Sequence, residues 1–373
     1  MYETQDPPKR VFLAGISDKR TSKAEALSLA KELRGLVGTM GLEIAGQEII
    51  RLREYSAKYG IGKGKAEEIA SKCGELNADC IILDWDLSPS QQRNWEDLTN
   101  VSTFDRRELI IQIFASRAQT REARLQVELA RLEFSLPRLS HKYLDLARQR
   151  GGSYGAKGSG ETKLESDRRL VQNKITKLKK DLCEIQNSRA VQRKKRQKGD
   201  IPLVALVGYT NAGKSSLLNA LTGSDTFVAD KLFATLDTTA RRIERPSPML
   251  LVDTVGFIRR LPHDLVDAFR STLEEVTLAD ILIQVLDASD PDAEKFFKTS
   301  MDVLASLGAE HSLMITALNK TDCDLPAETL LHLQNICPNP VSISVKEGRG
   351  LEELMAKVED MLKNKESEAI PVQ

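Results

Sequence analysis

The chain has 373 residues, of which 41% are hydrophobic and 29% are charged, so it is long enough for two or three globular domains and is not disordered or collagen-like. No apolar run approaches the roughly 18 residues that cross a bilayer, which argues against an integral membrane protein and leaves peripheral association open. The first residues show no signal-peptide pattern and the five cysteines form no CxxC pair, so we expect a cytoplasmic protein with reduced thiols.

The net charge of zero hides an uneven distribution. Residues 141–199 carry 17 Lys and Arg against 6 Asp and Glu, a surplus of 11 positive charges that the remainder of the chain balances. A basic stretch on an acidic body suits a polyanionic partner. On charge alone, a solvated helix face is an equally good interpretation.

The N-terminal stretch alternates between two hydrophobic periods. Short apolar runs predict strands over Val11–Ile16, Leu42–Ile50 and Cys80–Trp85, and helical spacing predicts helices over Ala24–Val37 and Lys65–Cys73. Strand–helix alternation is typical of α/β domains. We therefore predict a small α/β domain over residues 1–104.

Residues 105–199 are expected to form two long helices paired as an antiparallel coiled coil, followed by a basic linker. Arg168 falls on the predicted seam and has to reach out or meet an acid. The residues spaced at helical and heptad intervals are Leu125, Leu129, Leu132, Leu136, Leu164, Val171, Ile175, Leu178, Leu182 and Ile185. Between them lies Gly151–Gly160, whose five glycines predict a loop, either a flexible connector or a polar finger at the tip of the arm.

Residues 200–373 return to strand–helix alternation, with a predicted helix over Lys214–Leu221 and a last helix over Leu351–Leu362. The predicted strands are Leu203–Val207, Leu250–Val252, Ile281–Leu286, Leu313–Leu318 and Val341–Ser344. This pattern matches the parallel-sheet folds that bind nucleotides.

A phosphate-binding motif follows the first of these strands. Residues 208–215, GYTNAGKS, match GxxxxGK[ST] in full and open the predicted helix. Backbone N–H groups of such a loop wrap a phosphate, and the helix N-terminus adds positive charge. Lys214 can neutralise β- and γ-phosphate oxygens, and the Ser215 hydroxyl can ligate Mg²⁺.

Three later elements select among nucleotides. Asp253 begins DTVG after a strand, so it can hold Mg²⁺ through water while the Gly256 N–H contacts the γ-phosphate. In NKTD, the Asp322 carboxylate can accept from guanine N1–H and its amino group, a donor pair that adenine lacks. The backbone at Ser344-Val345-Lys346 can cap guanine O6. Their order and spacing predict GTP as the substrate.

A switch GTPase also needs a mobile Thr, and Thr235, Thr238 and Thr239 are the candidates. After Gly256, where many GTPases place a Gln that orients water, this chain has Phe257. Either catalysis is weak alone or a polar group enters from elsewhere; both predict slow intrinsic turnover that a partner raises.

These residues together predict one nucleotide site. Its predicted catalytic residues are Lys214, Gly256 and the switch Thr, which is Thr235, Thr238 or Thr239, and its metal ligands are Ser215, that Thr and, through water, Asp253. The predicted nucleotide contacts are Gly208, Tyr209, Thr210, Asn211, Ala212, Gly213, Lys214, Ser215, Ser216, Phe233, Ala234, Thr235, Leu236, Asp253, Thr254, Val255, Gly256, Asn319, Lys320, Thr321, Asp322, Ser344, Val345 and Lys346.

The chain resembles the HflX family of translation-associated GTPases over nearly its whole length. The motifs that carry the resemblance are GYTNAGKS, LFATLD and DTVGFI in the second half, and YGIGKGK, LSPSQQRN, DRRELIIQIFASRA, LQVELARLEF, LPRLS and GSGETKLESDRR in the first. The resemblance implies a Ras-like P-loop G domain over residues 200–373, and it implies that Thr235 is the switch Thr that ligates Mg²⁺.

The resemblance also implies a function on the ribosome. The N-terminal α/β domain and the arm would bind the large (50S) subunit and its rRNA, with the Gly151–Gly160 loop reaching toward the peptidyl-transferase region. The GTP-bound protein, expected to be a monomer, would dissociate or rescue ribosomes, or act in protein synthesis or ribosome biogenesis.

Two alternatives stay open. One is NTP-dependent RNA remodelling by the N-terminal region, where Gly60–Lys65 is a Gly/Lys turn without full phosphate-loop spacing. The other is a nucleotide-gated ribosome-binding module with negligible turnover, which Phe257 allows. The chain departs from the family pattern at Thr238, where Pro is frequent, and at Val345, where Ala is usual.

Overall fold

The computed structural model describes residues 9–18, 21–149, 157–197, 201–223, 232–233, 236, 238–244, 247–260, 275–309 and 312–369. The chain divides into two compact units. One comprises Met1–Ser116 with Leu125–Asp181, and the other comprises Arg117–Arg124 with Leu182–Gln373. The predicted three-domain boundaries at 104/105 and 199/200 stay predictions.

A four-stranded parallel sheet organises the first unit, with strand order β2-β1-β3-β4. In chain order its elements are β1 (Arg10–Ser17), α1 (Lys23–Thr39), β2 (Glu43–Arg51), α2 (Lys63–Glu75), β3 (Cys80–Leu83), α3 (Pro89–Thr99) and β4 (Ser102–Asp105). The central strand positions are buried and apolar, as expected when helices cover a parallel sheet. The α/β prediction for this region is confirmed.

Local signals explain where the helices of this unit start. Ser22 precedes α1 and its hydroxyl accepts the N–H of Glu25. Ser88 and Gln91 form a reciprocal capping box before α3, with Pro89 in its first turn. We did not predict α3 or β4, because α3 is mostly polar and the four residues of β4, STFD, show no apolar run.

Three helices follow: α4 (Arg106–Arg117), α5 (Arg121–Gln149) and α6 (Lys157–Gln197). Glu128 and Glu133 of α5 form ion pairs with Lys174 and Lys179 of α6. In a parallel pair, these contacts would place the end of α5 roughly 57 Å from the start of α6. The eight peptide steps between those ends reach roughly 29 Å at most. The helices are therefore antiparallel, as predicted.

The predicted seam is correct in part. Leu129, Ile175, Leu178 and Leu182 are buried, whereas the other predicted seam leucines on α5 are half-buried. Helix α5 buries a wider face, because side chains between the seam positions also pack inward. Arg168 is exposed, so it reaches out to solvent.

One prediction about the loop is wrong. Helix α6 begins at Lys157, so Lys157–Gly160 are helical and do not belong to a ten-residue loop. Each Gly inside a helix lowers helix stability by about 1 kcal/mol relative to Ala. A helix of 41 residues tolerates two of them near its first turn. The rest of the predicted loop, 151–156, lies outside the described residues.

The second unit contains a six-stranded sheet of order β10-β9-β8-β5-β7-β6, parallel except for β6, which runs antiparallel to β7. Its elements are β5 (Leu203–Gly208), α7 (Lys214–Thr222), β6 (Thr239–Ile243), β7 (Met249–Asp253), β8 (Ile281–Asp287), α8 (Ala293–Ser306), β9 (Met314–Asn319), α9 (Ala327–Ile336), β10 (Pro340–Ser342) and α10 (Leu351–Ala369).

Both faces of this sheet are covered. Apolar residues of β5, β8 and β9 share one core with α7 and α10, and Leu286 of β8 and Leu318 of β9 belong to a second core with α8 and α9. The predicted strands of this unit are confirmed, but β6 was missed because its sequence, TARRI, is polar and lies at the sheet edge. Among the described residues, no helix combines the length and apolarity needed to span a membrane.

Candidate nucleotide-binding site

The predicted motifs meet at one edge of the six-stranded sheet. The parallel strands β5, β7 and β9 end at Gly208, Asp253 and Asn319, so the loops that follow them emerge on the same side. Crevices outside the carboxyl ends of parallel strands are where open α/β sheets bind ligands. The sheet topology therefore brings motifs that are up to more than one hundred residues apart in the sequence to the same edge of the sheet.

Two glycines shape the loop between β5 and α7. Gly208 has φ +136° and approaches the main chain of Val285, and Gly213 has φ +101° next to the side-chain amide of Asn319. Any residue with a Cβ would have to adopt an unfavourable φ at either position, and its Cβ would collide with the neighbouring atoms of Val285 or Asn319. Gly213 also leaves the first N–H groups of α7 free of a side-chain cap. These donors can bind phosphate oxygens.

Lys214 lies folded back into this loop. Its side chain donates to the carbonyls of Gly208, at 3.1 Å, and Tyr209, at 2.8 Å, and the residue is only 6% exposed. Burial lowers the pKa of Lys214 to about 8, and the nearby carboxylate of Asp253 opposes this shift. An ammonium group held at the mouth of a phosphate-binding loop is suited to neutralise phosphate charge.

Ser215 and Asp253 form an oxygen pair that fits a magnesium ion. The Ser215 hydroxyl donates to Asp253 Oδ2 at 2.6 Å, and Asp253 is fully buried. Hydroxyl and carboxylate oxygens are hard ligands of the kind Mg²⁺ prefers. Ser215 can therefore coordinate the ion directly, and Asp253 can orient a coordinating water.

The segment after Asp253 is attached to the phosphate-binding loop. The Thr254 hydroxyl donates to the carbonyl of Leu206 at 2.7 Å, which anchors the segment to β5. Phe257 N–H donates to the Gly208 carbonyl at 3.0 Å, and Thr210 N–H donates to the Phe257 carbonyl at 2.8 Å. Gly256 is thereby held against the loop with Val255 beside it, and the Phe257 side chain is buried.

The guanine-recognition residues also converge. Asn319 donates to the Ala212 carbonyl at 2.8 Å and accepts the Val345 N–H at 3.2 Å, so it ties the phosphate-binding loop to the predicted guanine cap. The Ser344 hydroxyl donates to Asp322 Oδ1 at 2.7 Å, and this bond holds the pKa of Asp322 below its usual value. Asp322 is therefore an anionic acceptor positioned beside the cap.

Neighbouring contacts fix the loop that carries Asp322. The Thr321 hydroxyl donates to the Ile343 carbonyl at 2.9 Å. Lys320, at φ +64°, forms an ion pair of 2.6 Å with Asp287 at the end of β8. Lys346 lies 3.9 Å from Asp322. We did not single out Asp287, although its place after an apolar run at the same sheet edge was a usable signal.

Part of the predicted site lies outside the described residues. Ala234 and Thr235 belong to that part, so the assignment of Thr235 as the switch Thr stays a prediction. Phe233 and Leu236 are described and buried. Ser216 is half-buried on α7, one residue after Ser215.

Tyr209 makes contacts that sequence reasoning missed. Its ring stacks on Phe296 of α8, with centroids 4.1 Å apart, and its hydroxyl accepts the Arg259 N–H at 2.8 Å. The phosphate-binding loop is thereby bound both to α8 and to the segment after Gly256. Phe296 is nearly 90 residues away along the chain, so no local pattern indicated this contact.

A doubly covered parallel sheet with these four loops at its carboxyl edge defines the class of P-loop GTPases. Family models match three consecutive regions: "GTP-binding GTPase N-terminal" at residues 28–115, "GTP-binding GTPase Middle Region" at 117–196 and "50S ribosome-binding GTPase" at 203–320.

Similarity to individual proteins extends over nearly the whole chain. The protein "GTPase HflX" of Akkermansia muciniphila is 45% identical, covering 98% of this chain and 87% of that relative. The corresponding protein of Caldanaerobacter subterraneus subsp. tengcongensis is 44% identical, covering 99% and 84%. The chain belongs to the HflX family of GTPases, and the resemblance noted above is confirmed.

A solved structure supports the fold. The structure described as "crystal structure of SsGBP and GDP complex" aligns with a TM-score of 0.53 and 26% identity, covering 95% of this chain and 99% of that one. That structure contains GDP, as its description states, and its fold is similar to that of this chain.

Proposed function

We propose that this GTPase depends on Mg²⁺ and that its GTP-bound form binds the large ribosomal subunit, acting in ribosome dissociation or rescue, protein synthesis or ribosome biogenesis. The observation that carries the proposal is the match of residues 203–320 to the family described as a 50S ribosome-binding GTPase. The excess of 11 positive charges in residues 141–199 supports an rRNA partner. Such a protein acts in the cytoplasm.

The nucleotide roles follow from the contacts of the site. Lys214 and the N–H groups of the loop bind the β- and γ-phosphates, and Asp322 accepts from the guanine edge. Mg²⁺, when bound, would neutralise phosphate charge. Ser215 and the predicted switch residue Thr235 would ligate it, and Asp253, which is bonded to Ser215, would hold it through water.

The Gly256 N–H acts as the sensor of the γ-phosphate. Its main chain is bonded to the phosphate-binding loop through Phe257, so a change in the phosphates is transmitted to the segment that follows. That coupling is the basis of a nucleotide-dependent switch.

The arm formed by α5 and α6 is the proposed contact with rRNA. Helix α6 presents exposed lysines such as Lys177 and Lys180, and the glycine-rich stretch that ends in the first turn of α6 would extend toward the peptidyl-transferase region. Because phosphate contacts release counterions, binding should weaken as salt rises.

Co-sedimentation with purified large subunits tests this function. Binding is expected with a non-hydrolysable GTP analogue and is expected to fall at least tenfold with GDP. Lys214→Ala, which weakens phosphate binding, should lose the nucleotide dependence. Large subunits should also raise the GTP turnover of the wild-type protein several-fold. Equal binding in both nucleotide states would contradict the switch, and unchanged turnover would favour a binding module over an enzyme.

A further inference from the structure

The residue after Gly256 cannot assist hydrolysis directly. Phe257 has an apolar side chain that is only 1% exposed, and its N–H and carbonyl are both bonded to the phosphate-binding loop. Attack on the γ-phosphate benefits from a polar group that orients the water. The hydrolysis therefore calls for another polar side chain close to Gly256.

Thr210 carries an unsatisfied hydroxyl in this position. The residue is 6% exposed, and its Oγ1 is buried without a hydrogen-bond partner in the described part of the chain. Buried hydroxyls are nearly always satisfied, because desolvation without a partner costs stability. A buried hydroxyl left unpaired in a phosphate-binding loop is a group available for a ligand.

The surroundings place Thr210 against both the phosphate-binding lysine and the phosphate sensor. A Cβ built on Gly256 would lie 2.8 Å from Thr210 Cγ2 and 3.0 Å from Lys214 Nζ. Gly256 therefore packs directly against Thr210 and Lys214 with no room for a side chain of its own, and the main chain of Thr210 is fixed by its bond to Phe257. Cγ2 is the Thr210 side-chain atom next to Gly256, and a change of χ1 rotamer can place Oγ1 where Cγ2 lies, which turns the hydroxyl toward Gly256 without main-chain movement.

We propose that Thr210 is a catalytic residue of GTP hydrolysis, whose hydroxyl contacts the attacking water and supplies the polar contact that Phe257 cannot make. The inference rests on the proposed phosphate-binding role of residues 208–215. Water oxygen bonds to the γ-phosphorus as the bond to the GDP oxygen breaks, and the water proton leaves with the released phosphate. Thr210 forms no covalent bond and only orients the water.

The test uses a matched pair of variants in the full-length protein. Thr210→Val keeps the shape and removes the hydroxyl, whereas Thr210→Ser keeps the hydroxyl. At saturating GTP without ribosomes, we expect kcat of Thr210→Val to fall roughly 10- to 100-fold, the loss expected for one hydrogen bond in a charged site. KM and GDP affinity should change less than about threefold, and Thr210→Ser should retain most of the wild-type rate.

Stability separates catalysis from a structural role. Removing an unpaired buried hydroxyl should leave the urea midpoint of Thr210→Val unchanged or higher, since no partner is lost. A wild-type kcat in Thr210→Val, an equally slow Thr210→Ser, or a joint loss of stability and rate would each overturn the inference. If the wild-type protein bound no guanine nucleotide, the proposed site itself would fail; intact binding with unchanged kcat in Thr210→Val would remove only the role of Thr210.

Discussion

Asn319 joins the two halves of the nucleotide site through a single side chain. Its amide nitrogen is bonded to Ala212 in the phosphate-binding loop and its amide oxygen to Val345 in the predicted guanine cap. The bond to Val345 comes from the main chain, so the Val in place of Ala leaves it intact. Within the motif NKTD, Asn319 therefore connects the two loops, and Asp322 is the residue predicted to contact the base.

Asp322→Ala should remove the preference for guanine. The variant loses a carboxylate that can accept two hydrogen bonds from guanine, so GDP affinity should fall roughly 10- to 100-fold while the weak affinity for ADP stays the same. Calorimetric titration with both nucleotides measures this. Cys323→Ser, an exposed change one residue further on, is the control and should bind GDP like the wild type. An unchanged GDP-to-ADP ratio in Asp322→Ala would remove the assignment.

Lys214 should make the stability of the nucleotide-free protein depend on pH. Its pKa in the folded chain is about 8 against 10.5 for a free lysine, so between these values the unfolded chain binds more protons. The free energy of unfolding of the wild type should therefore rise with pH across this window, relative to Lys214→Met, by up to about 3 kcal/mol. Below pH 8, Lys214→Met should be the more stable protein.

The free energy of unfolding of both proteins is measured with urea, at pH values across this window and one pH unit below it. Subtracting the two curves cancels the titration of all other groups. Lys363→Met, at an exposed lysine of α10, serves as the control for a Lys-to-Met change outside the nucleotide site. A constant difference between the wild type and Lys214→Met would show that Lys214 is not buried in the free protein.

Helix α5 is fastened to the first sheet by Arg138. Its guanidinium donates to Gln92 Oε1 at 2.8 Å and to the Leu87 carbonyl at 2.9 Å, and it lies 3.5 Å over the ring of Phe134. It also approaches Asp105 at 3.4 Å. Burial raises the pKa of the Asp105 carboxyl, and the positive charge of Arg138 counteracts this shift. The Arg138 side chain thus provides hydrogen bonds or a positive charge to Gln92, the Leu87 carbonyl and Asp105.

Arg138→Ala should lower the free energy of unfolding by about 2–4 kcal/mol, because the buried Asp105 carboxylate loses its nearby positive charge and keeps only main-chain N–H donors, and the Leu87 carbonyl loses its guanidinium donor. Arg131→Ala on the exposed side of the same helix should cost less than about 0.5 kcal/mol. Urea unfolding of the full chain compares the two variants. Equal losses would mean that Arg138 contributes as an ordinary surface residue.

The excess of positive charge is concentrated in residues 141–199, a stretch that contains none of the nucleotide motifs. The positive surplus of residues 141–199 is balanced by the acidic remainder, which contains all the nucleotide motifs. Helix α6 carries exposed lysines of this stretch, among them Lys177 and Lys180. Binding of a polyanion can then be altered without touching GTP hydrolysis.

Neutralising Lys177 and Lys180 together to Gln should weaken association with large subunits and lower the slope of log affinity against log salt by about 1 to 2. Co-sedimentation at several salt concentrations measures the slope, and intrinsic GTP turnover should stay at the wild-type value. Lys295→Gln with Lys298→Gln, on α8 of the acidic remainder, is the matched control and should bind like the wild type. Identical slopes for both pairs would exclude α6 as the rRNA contact.

Contiguous sequence was enough to predict the nucleotide class, the strands of both sheets that are long and apolar, and the pairing of the two long helices. Residues 208–215 form a phosphate-binding loop from eight adjacent positions, so no distant contact is needed to recognise it. Apolar runs such as Leu203–Gly208 predict buried strands, because parallel strands are covered on both faces.

The tertiary structure was needed to identify the features that depend on contacts between residues far apart in the sequence. Strands β4 and β6 are short and polar, and pairing with an adjacent strand stabilises them where local propensity does not. The bond of Asn319 to Ala212 joins residues 107 positions apart, and the stack of Tyr209 on Phe296 joins residues nearly 90 positions apart. The unpaired hydroxyl of Thr210 became visible only once its neighbours were in place, because hydrogen-bond satisfaction is a property of packed surroundings and not of residue order.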